Sequence, residues 1–139
     1  MLFLNNTSIR IKNIRITKIW IKEIISKEKK IVGDINFNLI NDKELLKINQ
    51  EFLHHNTLTD IITFDYCEGK QINGEIYISA DRITENAKKF NTPFQDELLR
   101  VIIHGVLHLC GYTDKSKEEK IKMRKKEDAC LKFFYSKSV

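Results

Sequence analysis

The strongest limit on the fold lies in residues 98–109. Leu98, Leu99, Val101, Ile102, Ile103, Val106 and Leu107 cover much of the circumference of a helix. A helix that is apolar nearly all round has to be enclosed by other elements, so this one is expected to be central and largely buried. Its start is marked by Thr92-Pro93-Phe94-Gln95, which offers a threonine cap, a proline at the first helical position and a glutamine three residues after the cap. Gly111 is a good left-handed terminator, so the helix is expected to end at Leu109 or Cys110.

The remaining chain supplies the cover. The opening MLFLNN reads as a first strand. From Thr17, the pairs Trp20/Ile24 and Ile21/Ile25 repeat at a spacing of four, which predicts an amphipathic helix ending near Lys29 and Lys30. Strict alternation follows, with Ile31, Gly33, Ile35, Phe37 and Leu39 on one side and Asp34, Asn36 and Asn38 on the other. That pattern predicts a strand with one polar face, near a sheet edge. Asn41 or Asp42 can cap a helix bearing Leu45, Leu46, Ile48, Phe52 and Leu53. Residues 59–66 and 71–79 read as strands joined by the turn Cys67-Glu68-Gly69-Lys70, and so short a link requires antiparallel pairing. Asp81 opens a short helix with Ile83, Ala87 and Phe90. Ser116-Lys117-Glu118-Glu119 is a capping box for a last helix reaching about Phe134. The expected class is α+β: a mixed four-stranded sheet with one antiparallel hairpin against about five helices, in a single domain over 1–139, with a metal site at the end of the central helix.

Composition narrows the function. The 139 residues carry 24 Lys and Arg against 19 Asp and Glu, a net charge of +5 that favours a phosphate-bearing partner without requiring one. Cys67, Cys110 and Cys130 are odd in number and form no Cys-x-x-Cys pair, which excludes a thiolate zinc knuckle and suits a reducing compartment. With no run of eighteen apolar residues and no signal-peptide pattern, the expected location is cytoplasmic, with no membrane contact.

His104 and His108 stand four apart on the central helix, so both rings lie on one face and can reach one ion. Past Gly111 the chain can double back and bring Asp114 to the same point. Two imidazoles and a carboxylate suit zinc, with a fourth position left for water. The helical His-x-x-x-His spacing also occurs in metalloproteases, which need glutamate directly after the first histidine. Here that position is Gly105, which has no side chain to act as a base and instead permits close backbone approach.

The stretch His104-Gly105-Val106-Leu107-His108-Leu109-Cys110-Gly111-Tyr112-Thr113-Asp114 closely resembles the signature of the YbeY proteins, zinc-dependent single-strand endoribonucleases of 16S rRNA 3′-end maturation and ribosome quality control. Thr59-Asp60-Ile61-Ile62-Thr63-Phe64 and Gly74-Glu75-Ile76-Tyr77-Ile78-Ser79 resemble two further motifs of that family, in the same order. The resemblance implies one zinc per chain, a four-stranded mixed sheet and a groove for single-stranded RNA, with rRNA or the small ribosomal subunit as partner. Two positions depart from the family pattern. Asp114 stands where histidine is commoner, and Leu53 stands where the family usually carries an arginine important for activity.

Arg100, four residues before His104 on the same helix face, is the first candidate for a catalytic phosphate clamp; the alternative is that it points to solvent or pairs with Glu97. His54 and His55 are other substitutes for the missing arginine. Arg82 is a further candidate for touching RNA. Lys115, Lys117, Lys120, Lys122, Lys125 and Lys126 either contact the RNA backbone or form the wet side of the last helix. Tyr112 either stacks on a base or closes the core, and Cys110 reads as a small buried thiol. Two other functions fit the residues: a ribosome-associated zinc protein without strong catalysis, and a metallohydrolase of another phosphoester or amide.

Overall fold

A computed structural model describes residues 2–6, 13–55 and 57–137. In chain order the elements are β1 (Leu2–Asn6), α1 (Ile14–Lys27), β2 (Ile31–Ile40), α2 (Asp42–Leu53), β3 (Ile61–Asp65), β4 (Gln71–Ser79), α3 (Ala80–Phe90), α4 (Phe94–Leu109) and α5 (Lys117–Lys137). The strands hydrogen-bond in the order β1-β2-β4-β3. Helical crossovers make β1/β2 and β2/β4 parallel, and the short link between β3 and β4 makes that pair antiparallel. Gly69, with φ of 57°, takes the left-handed corner of this hairpin.

All four strands form one mixed sheet, with β1 paired along the side of β2 away from β4, and α1, α2 and α4 pack against β2, β3 and β4. One expectation about the sheet needs correction: β2 does not lie near an edge, since β1 flanks it on one side and β4 on the other. Its alternation reports a face instead. Asn36 and Asn38 sit beside Glu75 and Tyr77 of β4 on the half-buried side, while Ile35, Phe37 and Leu39 enter the core.

The helix ends follow local chemistry with two differences. Asn41 caps α2 by accepting from the Glu44 amide at 2.8 Å, and Ser116 and Glu119 close the expected reciprocal box at the start of α5. Thr92 does not cap α4. Its amide donates to the Ala87 carbonyl at the end of α3, so Pro93 takes the cap position and its carbonyl receives the Asp96 and Glu97 amides. The first helix also starts three residues before Thr17, whose hydroxyl donates to the Asn13 carbonyl at 3.0 Å. No described helix is long and apolar enough to cross a membrane.

As its composition demands, α4 is enclosed, with Leu98, Ile102, Ile103, Val106 and Leu107 all at most 1% exposed. Trp20 of α1 is fully buried and donates its indole N–H to the Cys130 carbonyl of α5 at 2.8 Å, tying the flanking helices together. Gly105 faces the sheet. A Cβ there would lie 2.9 Å from Ile61 Cδ1 and 3.0 Å from Ile76 Cδ1, so the helix lies closer to β3 and β4 than a side chain allows. Gly105→Val should therefore destabilise the fold by about 2 kcal/mol through overpacking. Urea denaturation reads this directly, and an unchanged midpoint would show that the close approach is not required.

Candidate metal centre

One turn of α4 separates His104 from His108, and their ring centroids lie 4.5 Å apart at 80°. After Leu109 the helix ends in a tight turn: the Gly111 amide donates to the His108 carbonyl and the Tyr112 amide to the Leu107 carbonyl. Gly111 sits at φ 109°, where a side chain would be strained, and this turn sends the chain back toward the histidines. Asp114 Oδ2 then lies 3.3 Å from His104 Nε2 and 3.5 Å from His108 Nε2, and the two Nε2 atoms are 3.0 Å apart.

The remaining ring nitrogens fix what those three atoms can do. His108 Nδ1 lies 2.9 Å from the Tyr112 carbonyl oxygen, which can only accept, so Nδ1 carries the proton. His104 Nδ1 lies 2.6 Å from Glu127 Oε2, and a carboxylate there again calls for an N–H. In neutral rings both Nε2 atoms therefore present lone pairs, toward each other and toward a carboxylate oxygen. Such an arrangement is repulsive without a cation between them. A tetrahedral ion with bonds of about 2.0–2.1 Å has ligand–ligand edges of about 3.3–3.4 Å. The separations of 3.0, 3.3 and 3.5 Å match that cage, and the donor set fits zinc, with His104, His108 and Asp114 as its ligands.

Glu127 is the site residue that the sequence analysis did not single out. It is 4% exposed, and it bridges His104 to Arg100, whose Nη1 donates to Glu127 Oε1 at 3.0 Å while Nη2 donates to Asp128 at 2.7 Å. Burying a carboxylate is costly unless it is paired, and here both oxygens are engaged. Its signal in the sequence was an acid at a core position of α5, among Met123, Cys130, Leu131 and Phe134. Asp60, just before β3, was quoted only as part of a motif. Burial pushes its carboxyl above the usual range, against the opposing charge of His104.

His104 is held in a similar balance. Burial opposes its charged form, but the hydrogen bond and charge of Glu127, with Asp114 and Asp60 behind them, prevail and raise its pKa. A proton on Nε2 excludes a metal there, so zinc affinity should fall as pH drops through the raised His104 pKa. Glu127→Gln should cost about 10–100-fold in zinc affinity at neutral pH, because the orienting partner loses its charge. Chelator competition measures both effects, and an affinity unchanged in the variant would remove Glu127 from the site.

Two cavities meet at these ligands. One, of about 310 Å³, lies between α3, α4 and α5; the other, of about 860 Å³, opens between β3 and residues 111–115. Asp60, His104 and Asp114 line both. The structure places Lys115 in the larger cavity and Lys120 and Arg100 in the smaller. Arg100 pairs with Glu127 and Asp128 rather than Glu97, and its side chain is only 19% exposed. Leu53, His54 and His55 are exposed around the end of α2 and are not among the described lining residues of either cavity. Arg82 is paired with Asp42 at 3.0 Å, and Lys126 with Glu28 at 2.8 Å. The Tyr112 hydroxyl donates to Glu28 at 2.7 Å, and burial pushes the Cys110 thiol up to about 12, as befits a packing residue.

Comparison with known proteins agrees with this geometry. Residues 4–135 match the family model described as endoribonuclease YbeY. The chain is 52% identical over 118 residues to the endoribonuclease YbeY of Flavobacterium psychrophilum, covering 85% of this chain and 84% of that one. Against the protein of the same name from Bacteroides fragilis, identity is 43% over 117 residues, covering 84% of each. The solution structure of TM1509 from Thermotoga maritima superposes with a TM-score of 0.70 at 30% identity, covering 99% of this chain and 91% of that one.

Proposed function

The chain belongs to the endoribonuclease YbeY family, and from that premise we propose that it is a zinc-dependent endoribonuclease of single-stranded RNA, acting in the cytoplasm on 16S rRNA 3′ ends and in ribosome quality control. The observation that carries this reading is the position of the three ligand atoms. They sit at tetrahedral spacing on the rim that joins two cavities, so a strand lying across both places a phosphodiester at the metal.

His104, His108 and Asp114 would hold the zinc, which would supply Lewis acidity toward a phosphoryl oxygen and make a bound water or the RNA 2′-hydroxyl easier to deprotonate. The chain's own residues do the rest. Glu127 and the Tyr112 carbonyl hold the two rings in the tautomer that points Nε2 at the metal. Arg100 acts through Glu127, fixing its second oxygen and offsetting its buried charge. Asp60, on the wall common to both cavities, is the carboxyl placed to hold a proton beside the reacting bond. Lys115 and Lys120, one at each cavity, favour the polyanionic strand.

One observation favours a second reading, a ribosome-associated zinc protein with weak catalysis. Leu53, at the position of the family arginine, is 42% exposed and brings no charge to the site. Cleavage of a single-stranded rRNA 3′ fragment separates the two. Wild-type protein should carry about one zinc per chain and cut the fragment. His108→Ala should carry substantially less zinc, and His104→Ala should show no cleavage above background. Equal cleavage by wild type and the His104→Ala variant would end the metallonuclease reading, and full zinc content in His108→Ala would end the ligand assignment.

A further inference from the structure

We propose that the smaller cavity, of about 310 Å³, is a subsite for one unpaired nucleobase of the substrate strand, stacked on Phe90. The inference rests on the nuclease reading above and names the feature that admits single strands.

The cavity is built from two helical walls that meet at the metal ligands. On α3, Asn86 and Phe90 are four residues apart and so share one face. On α5, Lys120 and Arg124 have the same spacing and line the cavity too. Val101 and Met123, both buried, add an apolar floor, and His104 and Asp114 complete the inner end. One wall thus carries an aromatic ring and an amide, the other two cations beside Glu127, whose charge Arg100 offsets, and the floor is apolar. That is the chemistry of a nucleotide: a flat ring with a polar edge on one side and a phosphate on the other.

Three details favour a base over other occupants. Phe90 is 59% exposed although it ends an amphipathic helix whose Ile83 and Ala87 are buried; the Lys89 ammonium lies 5.5 Å from its ring centroid, and the remaining exposed ring surface is open to stacking. Arg124 is 64% exposed and 4.0 Å from Glu127, which leaves it able to meet a phosphate. Glu97 of α4 lines the same cavity and repels a phosphate from that side, directing the anion to the α5 wall and the base to the α3 wall. The volume is at the small end of ligand sites, enough for one base and too little for a base pair. A base held in a duplex cannot enter without unpairing, so strand selectivity follows from the cavity's size.

The test uses zinc-loaded full-length protein and a labelled single-stranded oligoribonucleotide cleaved by wild type. Phe90→Ala should raise KM by about 5- to 150-fold, the range given by loss of one base–aromatic stack, with a smaller change in kcat and unaltered zinc content. Phe90→Trp should restore KM, and its introduced indole should be quenched on rapid mixing with the single strand but not with the corresponding duplex. Trp20, fully buried, provides a constant background. Phe52→Ala, exposed on α2, serves as a control and should leave KM as in wild type. An unchanged KM in Phe90→Ala, or quenching that is absent or equal for duplex, overturns the subsite while the nuclease stands. No cleavage by wild type removes the nuclease reading and the subsite with it.

Discussion

Three lone pairs converge where, among the described residues, no donor stands between them, and the design of the molecule follows from that electrostatic demand. Two imidazoles whose outer nitrogens are committed to Glu127 and the Tyr112 carbonyl must turn their Nε2 atoms inward, 3.0 Å apart. Asp114 adds a third acceptor. A divalent cation, or at lower pH a proton on His104 Nε2, relieves this repulsion, and the binding free energy of the metal would contribute to the stability of the fold.

The supports of that point reach into three helices. Arg100 and Glu127 join α4 to α5 through His104. From the opposite side, Glu28 at the end of α1 receives the Tyr112 hydroxyl and the Lys126 ammonium, steadying the residue whose carbonyl orients His108. Beneath them, Gly105 lets α4 lie closely on β3 and β4. Core packing and metal geometry are therefore one problem in this chain, because the helix that fills the centre also carries two of the three ligands.

Much of this was legible in the sequence because it depends on local periodicity. The spacing of His104 and His108, the stop at Gly111 and the return of Asp114 are consequences of helical pitch and of a glycine's access to positive φ. The β3–β4 hairpin and its antiparallel sense follow from a link too short for a crossover. Where the reading failed, a non-local partner decided. Thr92 looks like a cap until the end of α3 claims its amide. The polar face of β2 looks like an edge until β4 aligns Glu75 and Tyr77 beside Asn36 and Asn38. Arg100 reads as facing solvent or pairing with Glu97, if it is not a clamp, until α5 presents two other carboxylates to it.

By itself, then, the sequence determined which residues could bind a metal and which helix had to be buried, since both are set within a few turns of chain. Tertiary structure alone decided that Glu127 meets His104, that Arg100 pairs with Glu127, and that Asp60 lines the same cavities as His104 and Asp114. Glu127 lies 23 positions after His104 and Asp60 lies 44 before it, and only packing of α5 and β3 around α4 brings them together. A buried carboxylate is tolerated at Glu127 because His104 and Arg100 are there to receive it, and no local pattern records that pairing.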